Sequence, residues 1–168
     1  MTRRLAAVLL WFALALNAHA QLAGNATWST SKVSTDITTT STTLVDSGFH
    51  AAVSASTTYE FEIWLVVNCS TTSGVRLTVA TDGTGPSIQS VWEAQTTDTA
   101  GVGFSYNSAG AAPTQTVATG VSNLDSVVHI VAKIATGTSA TYVGISWNVV
   151  TAATGTIRAG SKMNYRVL

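Results

Sequence analysis

Tyr59-Glu-Phe-Glu-Ile-Trp-Leu-Val-Val67 decides the fold. The odd positions, Tyr59, Phe61, Ile63, Leu65 and Val67, are all apolar. The even positions hold Glu60, Glu62, Trp64 and Val66. Successive side chains of an extended strand point to opposite faces. The stretch therefore reads as an antiparallel strand with one buried face. The same alternation recurs on either side. Val75, Leu77 and Val79 alternate with Arg76, Thr78 and Ala80 after a turn over 70–74. Ile88 and Trp92 oppose Val91 and Glu93. Val128, Ile130, Ala132 and Ile134 face in, against His129, Val131 and Lys133. Val143, Ile145, Trp147 and Val149 form the next inward row. Met163, Tyr165 and Val167 alternate with Lys162, Asn164 and Arg166 after the stretch Gly155-Thr-Ile-Arg-Ala-Gly-Ser161.

Turn chemistry separates these strands. Asp82-Gly-Thr-Gly-Pro86 is a dense turn cluster, and Gly137-Thr-Ser makes another. Asp46-Ser-Gly48 reads as a turn ahead of a short strand over Phe49 to Val53. Residues 21–30 read as a loose leader, and Lys32 to Thr43 as a strand carried by Val33 and Ile37. Val102 and Phe104 are expected to pair with Thr114 to Val117 across a loop from Asn107 to Pro113. Beyond the N-terminal segment, no stretch longer than a couple of turns reads as a helix. About eight to ten short strands with this punctuation predict one all-β domain over 21–168. The expected architecture is an antiparallel β-sandwich, jelly-roll-like.

The chain has 168 residues, enough for one such domain. Only 10% are charged, and Thr, Ser, Ala, Val and Gly dominate. A surface so poor in Lys and Glu is wetted mainly by hydroxyls. The first twenty residues read differently. Arg3 and Arg4 precede an apolar run from Leu5 to Leu16, and Ala18-His-Ala20 fits a small-x-small cleavage site. Residues 1–20 are therefore expected to be a secretory signal peptide, with the protein exported to the periplasm or beyond. Without Arg3 and Arg4, eight basic residues become six against eight acidic, a net charge of −2. That balance gives no electrostatic footprint for nucleic acid.

Catalytic and metal chemistry find little support. His50 and His129 lack metal-ligand spacing, and Cys69 is the single cysteine. Cys69 reads as a small hydrophobe at a strand end. Asn25-Ala-Thr and Asn68-Cys-Ser match the glycosylation sequon and are read as chance. Asp82-Gly-Thr-Gly lacks the alternating oxygen ligands of a calcium loop. Glu60 and Glu62 share a face, as a glycosidase pair would, but neighbouring outward glutamates on a strand more often form a solvated face. No Gly-x-Ser-x-Gly elbow occurs. The expectation is a protein that is not an enzyme and carries no cofactor or metal.

From about Ser70 onward the chain resembles small β-domains of bacteriophage structural proteins, found in tail fibres and head fibres. Thr71-Thr-Ser-Gly-Val-Arg-Leu-Thr-Val79 is similar to their opening hairpin. Val127-Val-His-Ile-Val-Ala-Lys-Ile134 resembles their long central strand, and Ala140 to Val150 the strand after it. Gly155 to Ser161 with the following strand resembles their closing element. The resemblance implies a β-sandwich that builds a particle or touches a host, commonly as a trimer. The signal sequence departs from that pattern. It implies a secreted bacterial protein or a coat component that meets a membrane.

Six residues are the candidates for binding. Trp64, outward beside Glu60 and Glu62, has the form of a platform for a sugar ring, with the acids holding its hydroxyls. The rival reading covers Trp64 with a loop or a neighbouring subunit, and Trp92 is open to the same two readings. Val66 and Val131 point outward and suit packing against identical copies. The expected partners are copies of the chain itself, a trimer first, with other virion proteins or a host-surface glycan. The alternative is a secreted carbohydrate-binding or adhesin module.

Overall fold

A computed structural model describes residues 27–72, 74–95, 105–107, 115–117 and 123–168. The expected signal peptide lies outside them, as do Val102 and Phe104. Among the described residues every regular element is a strand. In order they are β1 (Ser29–Lys32), β2 (Ile37–Thr39), β3 (Val45–Ala52), β4 (Thr58–Cys69), β5 (Val75–Thr81), β6 (Ser87–Gln95), β7 (Ser105–Asn107), β8 (Gln115–Val117), β9 (Ser126–Ala135), β10 (Tyr142–Val149), β11 (Gly155–Ile157) and β12 (Lys162–Val167).

Two antiparallel sheets form a sandwich. The larger runs β1-β12-β4-β9-β6-β7, with β11 on β4 and β2 on β11. The smaller runs β3-β10-β5-β8. The pairs β1–β12, β3–β10, β4–β9 and β5–β8 are nested one inside the next. Such nesting is a long hairpin rolled across two sheets, which is the jelly-roll arrangement. β6 and β7 lie in the connection from β5 to β8 and extend the larger sheet beyond β9.

The inward rows meet between the sheets. Phe61, Ile63, Leu65, Ile130, Ile134 and Met163 come from the larger sheet; Leu77, Val75, Ile145, Trp147 and Val149 come from the smaller. Each such side chain contributes about 1.5–3 kcal/mol when fully removed from water. Phe61 stacks on Tyr165 with ring centroids 5.4 Å apart. Cys69 is a free, buried thiol in this core, in keeping with its reading as a small hydrophobe.

The Gly-Ser corner has a specific job. β11 and β12 run along one edge of β4, one after the other. Between them the chain bulges out opposite Val66. The Arg158 N–H donates to the Val66 carbonyl at 2.8 Å, and the Val66 N–H donates to Ser161 Oγ at 3.0 Å. Gly160 turns this corner at a φ of +95°, a conformation that glycine adopts without steric penalty.

Three sequence expectations need correction. The supposed leader ends in the first residues of β1, which pairs with β12 from Ser29 to Lys32. The Thr-rich stretch after it is split into β1 and β2, because Val33 and Gly160 bond to each other where the 158–161 corner interrupts the sheet edge. Asp46-Ser-Gly48 is not a turn. It is a bulge inside β3, where Gly144 pairs with His50 but Ser146 pairs with Asp46. Asp46 Oδ1 accepts from the Gly48 N–H and Ser47 Oγ from the Phe49 N–H, so local side chains replace the lost ladder bonds. Gln115–Val117 forms β8 and pairs with β5 in the smaller sheet, and the pairing expected with Val102 and Phe104 lies outside the described residues. The described strands number twelve rather than eight to ten, mainly because these short edge pieces lack a hydrophobic period.

Candidate functional site

The outward side chains of β4 place four of the candidates on one face. Glu60, Glu62, Trp64 and Val66 are each half-buried there. Antiparallel register sets their neighbours. Arg166 is opposite Glu60, Asn164 opposite Glu62 and Lys162 opposite Trp64 on the β12 side. On the β9 side, Lys133 is opposite Glu60, Val131 opposite Glu62, His129 opposite Trp64 and Val127 opposite Val66. Val131, the fifth candidate, thus joins the same face.

Trp92 does not join this row by register. It pairs with Ile130 of β9, whose side chain is buried, and not with the row that holds Trp64. Its own side chain lies outside those the structure describes.

Of the two glutamates, Glu60 is engaged by an arginine and Glu62 approaches a histidine without a hydrogen bond to it. Arg166 Nε donates to Glu60 Oε2 at 2.7 Å. The same guanidinium lies 4.6 Å from the centre of the Trp28 ring, in cation–π contact. Glu62 Oε1 lies 3.4 Å from His129 Nε2, which is buried and neither accepts nor donates a hydrogen bond among the described residues. The His129 ring stacks on Trp64, centroid to centroid 3.9 Å at an interplanar angle of 13°. Trp64 is therefore half-buried with one ring face covered by a histidine of its own chain. This corrects the picture of a bare Trp, and of the two flanking acids Glu60 is taken by Arg166. Alternation located Glu60, Glu62 and Trp64, but their partners Arg166, Trp28 and His129 follow only from knowing which strands lie side by side.

The valines differ from these polar groups. Val131 keeps 42% of its surface exposed and Val127 keeps 37%. Both sit on β9, in the interior of the larger sheet rather than at its rim. Val66 is opposite Val127. Two exposed valines thus flank half-buried His129 on β9, and Glu60 meets its counter-charge in Arg166.

Other charged groups hold the fold. The Asp82 carboxylate accepts from the Thr141 hydroxyl, the Thr141 N–H at 2.8 Å and the Tyr142 N–H at 3.0 Å. The Thr141 hydroxyl and the Tyr142 N–H bring the Asp82 pKa down to about 2. Asp82 is thus a staple between the β5–β6 turn and the start of β10. Arg158 bridges Asp125 and Asp36, each at 2.9 Å. The Ala159 N–H and then Arg158 hold Asp36 below the ordinary carboxylate range. His50 stacks on Tyr142 at 3.8 Å and meets Asp46 Oδ1 at 2.7 Å across the β3 bulge. Among the described residues, no three His, Cys, Asp or Glu side chains are grouped to hold a metal ion.

The strand order makes this chain a jelly-roll β-sandwich. No protein-family model matches the chain, and no curated protein sequence matches it. Among solved structures it is similar to the Eiger TNF of S. frugiperda, at 10% identity and a TM-score of 0.41, over 84% of this chain and 91% of that one. It is also similar to VP2 of the infectious bursal disease virus subviral particle, at 11% identity and a TM-score of 0.23, over 84% of this chain and 41% of that one. At these scores neither neighbour carries an argument about what the chain does. The jelly-roll assignment stands on the nested strand pairs.

Proposed function

We propose that this chain is a non-catalytic structural module that assembles with copies of itself and presents a binding surface. It belongs, on this reading, with the exported or particle-borne β-domains that the phage-fibre resemblance suggests. The observation that carries the reading is the pair of exposed valines on an interior strand of the larger sheet's outer face. Val127 and Val131 are exposed on a central strand, where a solvated sheet would carry polar residues. Exposed apolar side chains in the interior of a sheet suit a contact site.

The favoured occupant is a second copy. Symmetry brings a residue close to its own counterpart, and valines tolerate that meeting whereas like charges repel. Glu60 already has its counter-charge in Arg166, so less uncompensated charge has to be desolvated on association. The low net charge of the exported part removes most long-range repulsion between copies. A trimer is the first expectation.

Sedimentation velocity tests this on the protein expressed from the full chain. The expected result is an oligomer in the micromolar range that Val131→Lys converts to folded monomer. A wild-type monomer at high micromolar concentration contradicts the proposal, as does an oligomer indifferent to Val131→Lys.

A further inference from the structure

Val127, His129 and Val131 follow one another on the outer face of β9, with the two valines exposed and the histidine half-buried between them. Histidine is the side chain that changes charge near neutral pH. His129 Nε2 is shut off from water and has no hydrogen-bond partner among the described residues. A buried polar atom in that state costs stability that a bond would recover. The Trp64 ring, stacked at 3.9 Å, holds the imidazole in place. Glu62 Oε1 lies 3.4 Å from the same nitrogen.

Glu62 is an acid of this face without a permanent counter-charge. Among the described residues it has no Lys or Arg within 4.0 Å, whereas Glu60 is paired with Arg166. It is in register with Val131 on one side and Asn164 on the other. The other charged groups take different places in the register. Lys133 of β9 is opposite Glu60, Lys162 of β12 is opposite Trp64, and Glu93 of β6 is opposite His129. A copy seated on Val131 therefore also strips water from Glu62. Desolvating a lone carboxylate costs more than desolvating one that is paired and hydrogen-bonded. A proton on His129 Nε2 changes this balance. The Nε2–H donates to Glu62 Oε1 in a charge-assisted bond, which satisfies the orphaned nitrogen and neutralises the carboxylate.

We infer that His129 is a proton switch on the assembly face, with Glu62 as its partner. The neutral imidazole leaves Glu62 uncompensated and the assembly loose; the imidazolium pairs with Glu62 and tightens it. Assembly on this face therefore takes up protons from solvent, by up to one per copy, and strengthens as pH falls. The inference rests on the assembly half of the proposed function and adds its regulation. His50 has no part in it, because it lies on β3 of the smaller sheet with Asp46 as its own carboxylate.

Sedimentation velocity at about pH 8 and about pH 6, at one salt concentration, tests it on the protein expressed from the full chain. The wild-type dissociation constant should fall about tenfold from the higher pH to the lower, the worth of one charge-assisted hydrogen bond. His129→Gln should keep the weak constant at both pH values. Glu62→Gln removes the lone carboxylate and should keep the tight constant at both. His50→Gln should retain the wild-type step. A general loss of negative charge in acid would tighten all the variants alike. Circular dichroism checks each fold, and Glu62→Gln decides the matter alone where His129→Gln does not fold. An oligomer with one constant at both pH values, an oligomer that loosens in acid, or a step that survives Glu62→Gln overturns the switch and leaves the assembly reading standing. A chain that is monomeric at both pH values overturns the assembly reading and the switch with it.

Discussion

Gly155→Ala probes the closing element of the chain. Gly155 begins β11 on the larger sheet and faces the smaller sheet across the core. A methyl group there would lie 2.9 Å from Val149 Cγ1, 3.1 Å from Val75 Cγ1 and 3.2 Å from Trp147 Cζ3. Carbon atoms pack best at about 3.5–4.0 Å. The methyl is thus crowded by three side chains of the opposite sheet, and all three are buried. Overpacking of this kind costs about 1–3 kcal/mol. Alanine also restricts the unfolded chain, which offsets about 0.4–1 kcal/mol. The net expectation is a loss of about 1–2 kcal/mol. With a urea slope near 2 kcal/mol per molar, the unfolding midpoint should fall by about 0.5–1 M. The companion variant Val149→Ala removes the nearest clashing atom. In that background Gly155→Ala should cost about 1 kcal/mol less than in wild type. A stabilising Gly155→Ala, or an identical cost in both backgrounds, refutes the packing described between β11 and β10.

Two further predictions concern the charged staples. Asp82 has a folded pKa of about 2 against an ordinary 3.8. Its contribution is full above the unfolded value and is lost as pH falls through the folded one. Acid unfolding of wild type should therefore show a component between about pH 4 and pH 2 that Asp82→Asn lacks, read by circular dichroism during acid titration. Arg158→Ala removes both ion pairs that tie the 158–161 corner to Asp36 and Asp125. These groups are more than a third exposed, so the loss should be only about 1 kcal/mol, or roughly 3 °C in a thermal melt.

The sequence revealed the inward rows because their period is a property of single strands. Phe61, Ile63 and Leu65, or Val143, Ile145 and Trp147, need no partner to be read, and all six are buried. The row of Met163 holds at its start and weakens at its end, where Val167 is 50% exposed because the strand runs out of cover. Asp46-Ser-Gly48 misled because a bulge and a turn use the same residues: Gly48 supplies a φ of +73° in either. The short strand β1 was hidden because it is held by backbone pairing rather than by a hydrophobic stripe. The site was half legible for the same reason. Trp64 and Val131 announce their outward position by alternation. That Val127 stands beside Val66, or His129 beside Trp64, depends on long-range register that no local pattern encodes.

The central claim is that the outer face of the larger sheet is a contact surface between copies. Valine methyl groups report on it directly through their relaxation by a soluble paramagnetic probe. Val167, half exposed at the end of β12, and Val128, fully buried in β9, serve as internal references. In the assembled protein, the methyls of Val127 and Val131 should be shielded from the probe to the level of Val128. If they relax as strongly as those of Val167, the face is open to solvent and the assembly reading is wrong.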